Sequence, residues 1–154
     1  ASYYNLPLSE LMETLNYALD NGYTIDWDAD VSEKGFNGRK GVAIVPAKPW
    51  KEKNQDEKDS TLVVPEKEAV ITVEMRQEDY ENYQTTDDHL MHIIGYAKDE
   101  NGKRFYIVKN SWGTKNMTFE GYVYVSENYM KLKTISIIIN KKALPAKVAD
   151  KLGL

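Results

Sequence analysis

The feature that most constrains the fold is a series of short strand-like segments in the second half of the chain. Alternating apolar and polar residues, with many β-branched side chains, predict strands over Met91–Ala97, Arg104–Lys109, Gly121–Val125 and Lys133–Ile139. Between the first two lies Asp99–Gly102 (Asp-Glu-Asn-Gly), which is typical of a hairpin turn. Strands and helices do not alternate along the chain, so we predict an antiparallel rather than a parallel sheet.

The ends of the chain predict helices. Over Leu6–Asn21, leucine and methionine side chains recur at helical spacing, and Asn21-Gly22 ends the pattern. A strand with period-two alternation follows over Tyr23–Val31, and Pro145–Leu152 predicts a short helix that Gly153 ends. The predicted fold class is therefore α+β: an antiparallel, barrel-like β-domain with an N-terminal helix and a short C-terminal helix.

The middle of the chain has weaker signals. Residues 46–68 are highly charged with few apolar residues, which indicates a solvated loop or insertion; Trp50 would anchor a partner if this loop binds one. We predict a short strand over Val42–Val45, another over Val70–Met75, and a helical turn over Gln77–Tyr83. At 154 residues, the chain is the size of a single domain spanning residues 1–154.

Composition excludes several functions. The net charge of −4 gives no basic surface for nucleic acid. No apolar run approaches the roughly 20 residues that a membrane-spanning helix needs. The chain has no cysteine, which excludes a disulfide, a thiolate metal site and a cysteine nucleophile within it.

The two histidines of the chain both lie in the segment Asp87–Tyr96. His89 is at the polar start of a predicted strand and His92 is within its apolar run. Residues three apart in a strand face opposite sides of the sheet, so the two imidazoles do not converge. Asp87 and Asp88 add ligand atoms, but the strand geometry separates the set, and we predict no metal site.

A second polar segment makes His89 a candidate for catalysis. Asn110 ends the strand after the predicted hairpin and is followed by Ser111, Trp112 and Gly113. The hairpin brings the start of one strand beside the end of the next, so His89 and Asn110 can meet. A histidine oriented by an asparagine carbonyl oxygen is the base of a Cys-His-Asn arrangement, and Trp112 would shield that contact from water.

These motifs carry a resemblance to a known family. Asp88-His89, Gly95-Tyr96 and Asn110–Gly113, with this spacing, resemble the histidine and asparagine motifs of papain-like cysteine peptidases. Residues 24–31 (TIDWDADV) and 121–145 resemble the bleomycin hydrolase and aminopeptidase C family in particular. The similarity spans most of the chain, and the fold it implies is the barrel half of a papain-like peptidase.

The resemblance implies a role for each matched residue. His89 would act as the general base and then protonate the leaving amine, and Asn110 would orient it. Asp88 and Trp112 would support the pair. A substrate pocket is implied as well, lined by Asp28, Ala29, Asp30 and Leu90. No cofactor is implied.

The family's cysteine, and the glutamine of its oxyanion hole, belong to the other half of that fold and have no counterpart here. We therefore expect this chain to be the C-terminal His/Asn half of a larger cysteine aminopeptidase that acts on peptides, inactive alone. The cysteine-bearing half would lie in the same parent chain or in a partner chain. The resemblance also implies homo-oligomers and a cytoplasmic location, with a secreted or periplasmic location left open.

Two other interpretations remain open from the sequence. The chain could be a non-catalytic peptide- or protein-binding domain derived from a papain-like fold, although such a domain would have no need to keep His89, Asn110 and Trp112 together. Its 11 tyrosines could instead support oligomer contacts.

The chain ends in a predicted helix rather than an extended arm, so the sequence leaves exopeptidase and endopeptidase action undecided.

Overall fold

A computed structural model describes residues 3–154 of the chain. The strands are β1 (Ile25–Ala29), β2 (Phe36–Asn37), β3 (Val42–Ala43), β4 (His89–Lys98), β5 (Arg104–Lys109), β6 (Tyr122–Ser126) and β7 (Thr134–Ile138). The helices are α1 (Leu8–Asp20), α2 (Gln55–Ser60), α3 (Val73–Glu81), α4 (Glu127–Lys133) and α5 (Ala146–Leu152), with short 3-10 turns at Trp50–Glu52 and Lys141–Ala143. Within residues 3–154, no helix is long and apolar enough to cross a membrane.

The strands form one seven-stranded sheet that curls into a half barrel, in the order β2-β3-β6-β5-β4-β1-β7. This confirms the predicted α+β class and the barrel-like form. The sheet is mixed rather than purely antiparallel, because β3 runs parallel to β6, with Val42 opposite Tyr124 and Ala43 opposite Val125. A parallel pair needs a long connection, which the β4–β5 hairpin and the helices before it supply.

The core lies on the inner face of this curled sheet. Its fully buried strand residues occupy alternate positions and include Ile25, Trp27, Ala29, Ile93, Tyr106, Val108, Val123 and Val125. Helix α1 covers this face with Met12, Leu15 and Ala18. The helical and alternating patterns predicted for these segments are confirmed, because each places its apolar positions on the buried side.

The sequence analysis missed helix α4. Ser126 caps its N-terminus, since the Ser126 hydroxyl oxygen accepts a 3.1 Å hydrogen bond from the backbone N–H of Tyr129. Tyr129, Met130 and Leu132 are buried, so tertiary packing stabilises this seven-residue helix. The strand predicted over residues 133–139 therefore begins one residue later, at Thr134.

The strand predicted over Val70–Met75 is wrong, because this segment enters helix α3. Thr72 is the N-cap, and its side chain accepts a 3.2 Å hydrogen bond from the backbone N–H of Met75. Val70 and Val73 are both exposed, so this segment has no buried face to pair with the sheet. The cap determines the local structure here, since no sheet partner competes for the backbone in this exposed segment.

Residues 46–68 have more structure than the predicted loop. A bridge between Pro46 and Glu68 closes the segment at its ends, and α2 lies within it. Asn54 and Glu57 form a capping box at the start of α2, in which each side chain binds the other residue's backbone N–H. The Asn-x-x-Glu spacing was a readable helix signal. That the segment is an insertion stays a prediction.

A buried hydrogen bond joins β1 to β7. The Trp27 indole N–H donates to the Thr134 hydroxyl at 2.8 Å, and both residues are fully buried. Replacing Thr134 by valine keeps the side-chain shape but leaves the indole N–H without an acceptor. We expect Thr134→Val to lower the free energy of unfolding by about 1–3 kcal/mol, measured by urea denaturation.

Thr114→Val is the matched control, because Thr114 is exposed. We expect this change to alter the free energy of unfolding by less than about 0.5 kcal/mol. Equal effects of the two substitutions would contradict the importance of the buried hydrogen bond.

Candidate active site

The pairing of β4 with β5 brings the two predicted catalytic residues together. His89 is the first residue of β4, and Asn110 directly follows β5. The His89 Nε2 atom lies 2.8 Å from the Asn110 side-chain oxygen Oδ1, which is an ordinary hydrogen-bond distance. Asn110 is buried and His89 is half-buried.

The surroundings of Asn110 determine which histidine nitrogen carries the proton. The Ser111 backbone N–H, which can only donate, donates to Asn110 Oδ1 at 2.7 Å and so identifies this atom as the amide oxygen. His89 Nε2 must then donate to the same oxygen, and in the neutral imidazole Nδ1 is left unprotonated. The half-buried His89 therefore presents a basic nitrogen on the side away from Asn110.

The Trp112 ring lies against the His89 ring, and its role in shielding the His89–Asn110 contact from water stays a prediction. Its ring centre lies 4.8 Å from that of His89, with the two ring planes 31° apart, and its other contacts include the edge of Phe36. Gly38 lies beneath the indole, where a methyl group at residue 38 would come within 2.7 Å of a ring carbon of Trp112. The indole thus packs against both Gly38 and the imidazole. The role of Gly38 was not foreseen, since only the folded chain brings it to Trp112.

Two aspartates hold the segment that leads into His89. Asp30 is buried, and its carboxylate accepts hydrogen bonds from the Thr86 backbone N–H at 3.0 Å and the Ser32 backbone N–H at 2.8 Å. Burial alone would raise the pKa of Asp30, but these donors outweigh it and lower the pKa. Asp88 accepts a 3.0 Å hydrogen bond from the Val31 backbone N–H. Its pKa is raised, mainly by burial and further by the Asp30 charge.

A buried lysine fixes the same segment from the other side. The Lys133 ammonium donates to the Thr85 hydroxyl at 3.0 Å and to the Gln84 carbonyl oxygen at 2.9 Å. It also forms ion pairs with Glu33 at 2.7 Å and Asp79 at 3.1 Å. This role was not foreseen, because Lys133 was predicted to begin a strand and lysine is rarely buried. Lys133 positions the backbone that precedes His89.

The four residues predicted to line a substrate pocket fall into two groups. Ala29 is fully buried opposite His89 on the neighbouring strand, and Asp30 is buried in the hydrogen bonds just described. Asp28 and Leu90 face each other across β1 and β4, on the side of the sheet opposite Ala29 and His89. Asp28 is buried and Leu90 is exposed. Their role in binding substrate stays a prediction.

His92 lies apart from His89, as the strand spacing predicted. Its Nδ1 atom is 2.6 Å from an oxygen of Asp26, on the opposite side of the sheet from the His89–Asn110 pair. In the part of the chain that the structure describes, no group of three or more histidine, aspartate or glutamate side chains is arranged to hold a metal ion.

Comparisons with known proteins identify the family and the fold. The model of a family described as the Peptidase C1-like family matches residues 1–153. The crystal structure of PepW from Lactobacillus rhamnosis aligns with a TM-score of 0.67 and 21% identity over 97% of this chain, a likeness of fold. Two curated relatives match over shorter stretches: senescence-specific cysteine protease SAG12 of Arabidopsis thaliana (54% identical over 28 residues, 18% of the chain) and cathepsin L of Sarcophaga peregrina (42% over 41 residues, 27%).

The chain covers only part of each of these proteins. The share is 30% of the PepW chain, 8% of SAG12 and 12% of cathepsin L.

The hydrogen bonds predict opposite tautomers for the two histidines. His92 Nδ1 must donate to the Asp26 carboxylate, which only accepts, whereas His89 must donate through Nε2. Heteronuclear NMR of the ring nitrogens, at a pH where both rings are neutral, should show one histidine of each type. In Asn110→Ala, His89 should populate both tautomers while His92 keeps its own. Identical tautomers in the wild-type protein would contradict the site geometry.

Gly38→Ala should displace Trp112 from His89. The added methyl group would lie 2.7 and 2.9 Å from two indole carbons, closer than such carbons can approach. The indole must therefore shift, and the ring-current shifts that it imposes on the His89 ring protons should shrink in the NMR spectrum. Gly95→Ala is the control, because a methyl group there meets no described atom within 4 Å. Unchanged His89 shifts in Gly38→Ala would contradict the packing.

Proposed function

This chain belongs to the Peptidase C1-like family, and on that premise we propose that it supplies the general base of a thiol-dependent peptidase. The resemblance to the aminopeptidase C and bleomycin hydrolase family, predicted from the motifs around His89 and Asn110, is confirmed at the level of the family. The reaction and the residue roles below are our proposal.

One observation carries the proposal: the hydrogen bond between His89 and Asn110 leaves Nδ1 of the neutral imidazole as its proton acceptor. A nitrogen in this state can take the proton from a thiol and form a thiolate–imidazolium pair. The resulting imidazolium then gives the proton to the leaving amine when the peptide bond breaks. Asn110 would stabilise the charged ring through the same hydrogen bond, and Trp112 would keep water from it.

The nucleophile must come from elsewhere, since the chain has no cysteine. We propose that a cysteine-bearing half, in the same longer polypeptide or in a partner chain, packs beside His89. Trp112 supports this position, because it packs against the histidine and is 49% exposed. A peptide substrate would bind between the two halves and be cleaved, as in an aminopeptidase, near its N-terminus.

The test is reconstitution of activity. We expect the chain alone to leave aminoacyl-coumarin amides intact, and its co-expression with the cysteine-bearing half of a Peptidase C1-like enzyme to release the coumarin. In the reconstituted enzyme, His89→Ala should lower kcat by about 10²–10⁴-fold, because it removes the general base. Asn110→Ala should cause a smaller loss.

His92→Ala is the matched control, since His92 is the other histidine of the chain and lies on the opposite side of the sheet. It should retain wild-type turnover. Equal losses in the two histidine variants would contradict the assignment of the base. Peptide binding without turnover, in a complex that contains the thiol, would support a non-catalytic binding domain instead.

A further inference from the structure

Helix α3 lies on the protein without a buried apolar face. None of its nine residues is buried, and Val73 at its start is exposed. Isolated helices shorter than about 12–15 residues are marginal in water, and packing of an apolar face ordinarily stabilises them in proteins. Contacts of another kind must therefore hold α3 in place. Its half-buried charged residues, Arg76 and Asp79, supply them.

Arg76 joins α3 to the end of α4. Its guanidinium Nη1 donates to the carbonyl oxygens of Lys131 at 3.0 Å and Leu132 at 3.1 Å, and its Nη2 donates to the Thr134 carbonyl oxygen. The last carbonyls of a helix have no partner within it and carry partial negative charge. A guanidinium suits this position, because it is planar, permanently charged and rich in donors.

Asp79 joins α3 to the segment that leads into His89. Its carboxylate forms an ion pair with the buried Lys133 ammonium at 3.1 Å. Its backbone carbonyl oxygen accepts hydrogen bonds from the backbone N–H groups of Gln84 at 2.8 Å and Thr85 at 2.9 Å. The position of α3 therefore determines the positions of residues 84 and 85.

The path from α3 to the imidazole is short. Seven residues, 82–88, separate the end of α3 from His89. A displacement of α3 would therefore reach the start of β4, where Asn110 binds the His89 ring. Misplacement of a catalytic group by about 1 Å can cost on the order of 10²-fold in rate. The contacts that hold α3 thus bear on the geometry of His89.

We propose that Arg76 is a positioning residue for His89. It holds α3 against the end of α4, and α3 in turn holds residues 84 and 85, so that the imidazole meets Asn110 in one orientation. Arg76 acts through α3 and this segment rather than through the ring. The effect on turnover rests on the function proposed above, whereas the effect on the orientation of the imidazole does not.

The first test uses the chain itself. In Arg76→Gln, charge-assisted hydrogen bonds to the α4 carbonyls are lost, so the Gln84 and Thr85 amides should exchange with deuterium at least about 10-fold faster. Heteronuclear NMR should show His89 in both tautomers instead of the Nε2-protonated form alone. Faster amide exchange with an unchanged His89 tautomer would overturn the proposal.

Arg104→Gln is the matched control. Arg104 is also a half-buried arginine that joins a helix to the sheet, since its guanidinium donates to Asn16 of α1 and lies 4.0 Å from the centre of the Tyr96 ring. It is at the far end of the β4–β5 hairpin, opposite Lys98. Its substitution should destabilise the chain but leave His89 in one tautomer. Mixed tautomers in both arginine variants would indicate general loosening and would also overturn the proposal.

The reconstituted enzyme supplies a kinetic test. Arg76→Gln should lower kcat by about 10–100-fold, because the base is misplaced. KM should stay within about twofold of the wild-type value, because no substrate contact is removed. Arg76→Lys should recover part of the loss, since an ammonium can still donate to a carbonyl. A change in KM alone would contradict a positioning role.

The two tests separate this inference from the proposed peptidase function. If reconstitution yields no turnover, mixed His89 tautomers in Arg76→Gln but not in Arg104→Gln still support the positioning role, while the peptidase function fails. Turnover that His89→Ala abolishes and Arg76→Gln leaves unchanged supports the peptidase function and overturns the role of Arg76.

The wild-type chain allows a test that needs no substitution. Because the proposal makes α3 and residues 84–85 one unit, their amides should open together, with one dependence on urea, in native-state hydrogen exchange. Protection of the Thr85 amide that persists after α3 has opened would overturn the proposal, even if Arg76→Gln does not fold.

Discussion

The backbone pairing of β4 with β5 is the constraint on which the site depends. Residues 89 and 110 are 21 positions apart, yet the hairpin places their side chains 2.8 Å apart at one end of the sheet. The register shifts once, between Ile93 and Gly95, before the strands reach the site. Because a slip of one residue turns each side chain to the other face, this irregularity is part of what places His89 against Asn110.

The rest of the site depends on buried polar contacts around the segment before His89. Lys133 binds this segment from α4, and Asp30 binds it from the end of β1, with both side chains at least nine-tenths buried. Each contact satisfies a backbone or hydroxyl group that would otherwise be buried unpaired. The start of β4 is therefore held from two elements, which limits the freedom of the imidazole without any contact to the imidazole itself.

The sequence was sufficient for the local features of this molecule. Alternation located β1, β4, β5 and β6, helical spacing located α1, and the motifs at residues 88–96 and 110–113 predicted the contact between His89 and Asn110 and the position of Trp112. What it could not supply were the non-local partners. Three contacts join residues that are distant in sequence. They are the parallel pairing of Val42 with Tyr124, the packing of Trp112 against Gly38, and the ion pair of the buried Lys133. Thr72 and Ser126 were missed although the caps that they form were readable: the β-branched residues around Thr72 suggested a strand, and residues 126–132 were assigned no structure.

The Asn110 side-chain oxygen accepts hydrogen bonds from both His89 and the Ser111 backbone, which has a consequence for assembly. Because the Ser111 backbone orients the Asn110 amide without any partner, the orientation of His89 is determined by contacts within this chain. In the assembly proposed above, a second half that carries the thiol would need to dock but would not need to reorganise the base, so little ordering entropy would remain to be lost at that step. The rate at which the complete site appears would then follow the encounter of the two halves, and would scale with their concentration when they are separate chains.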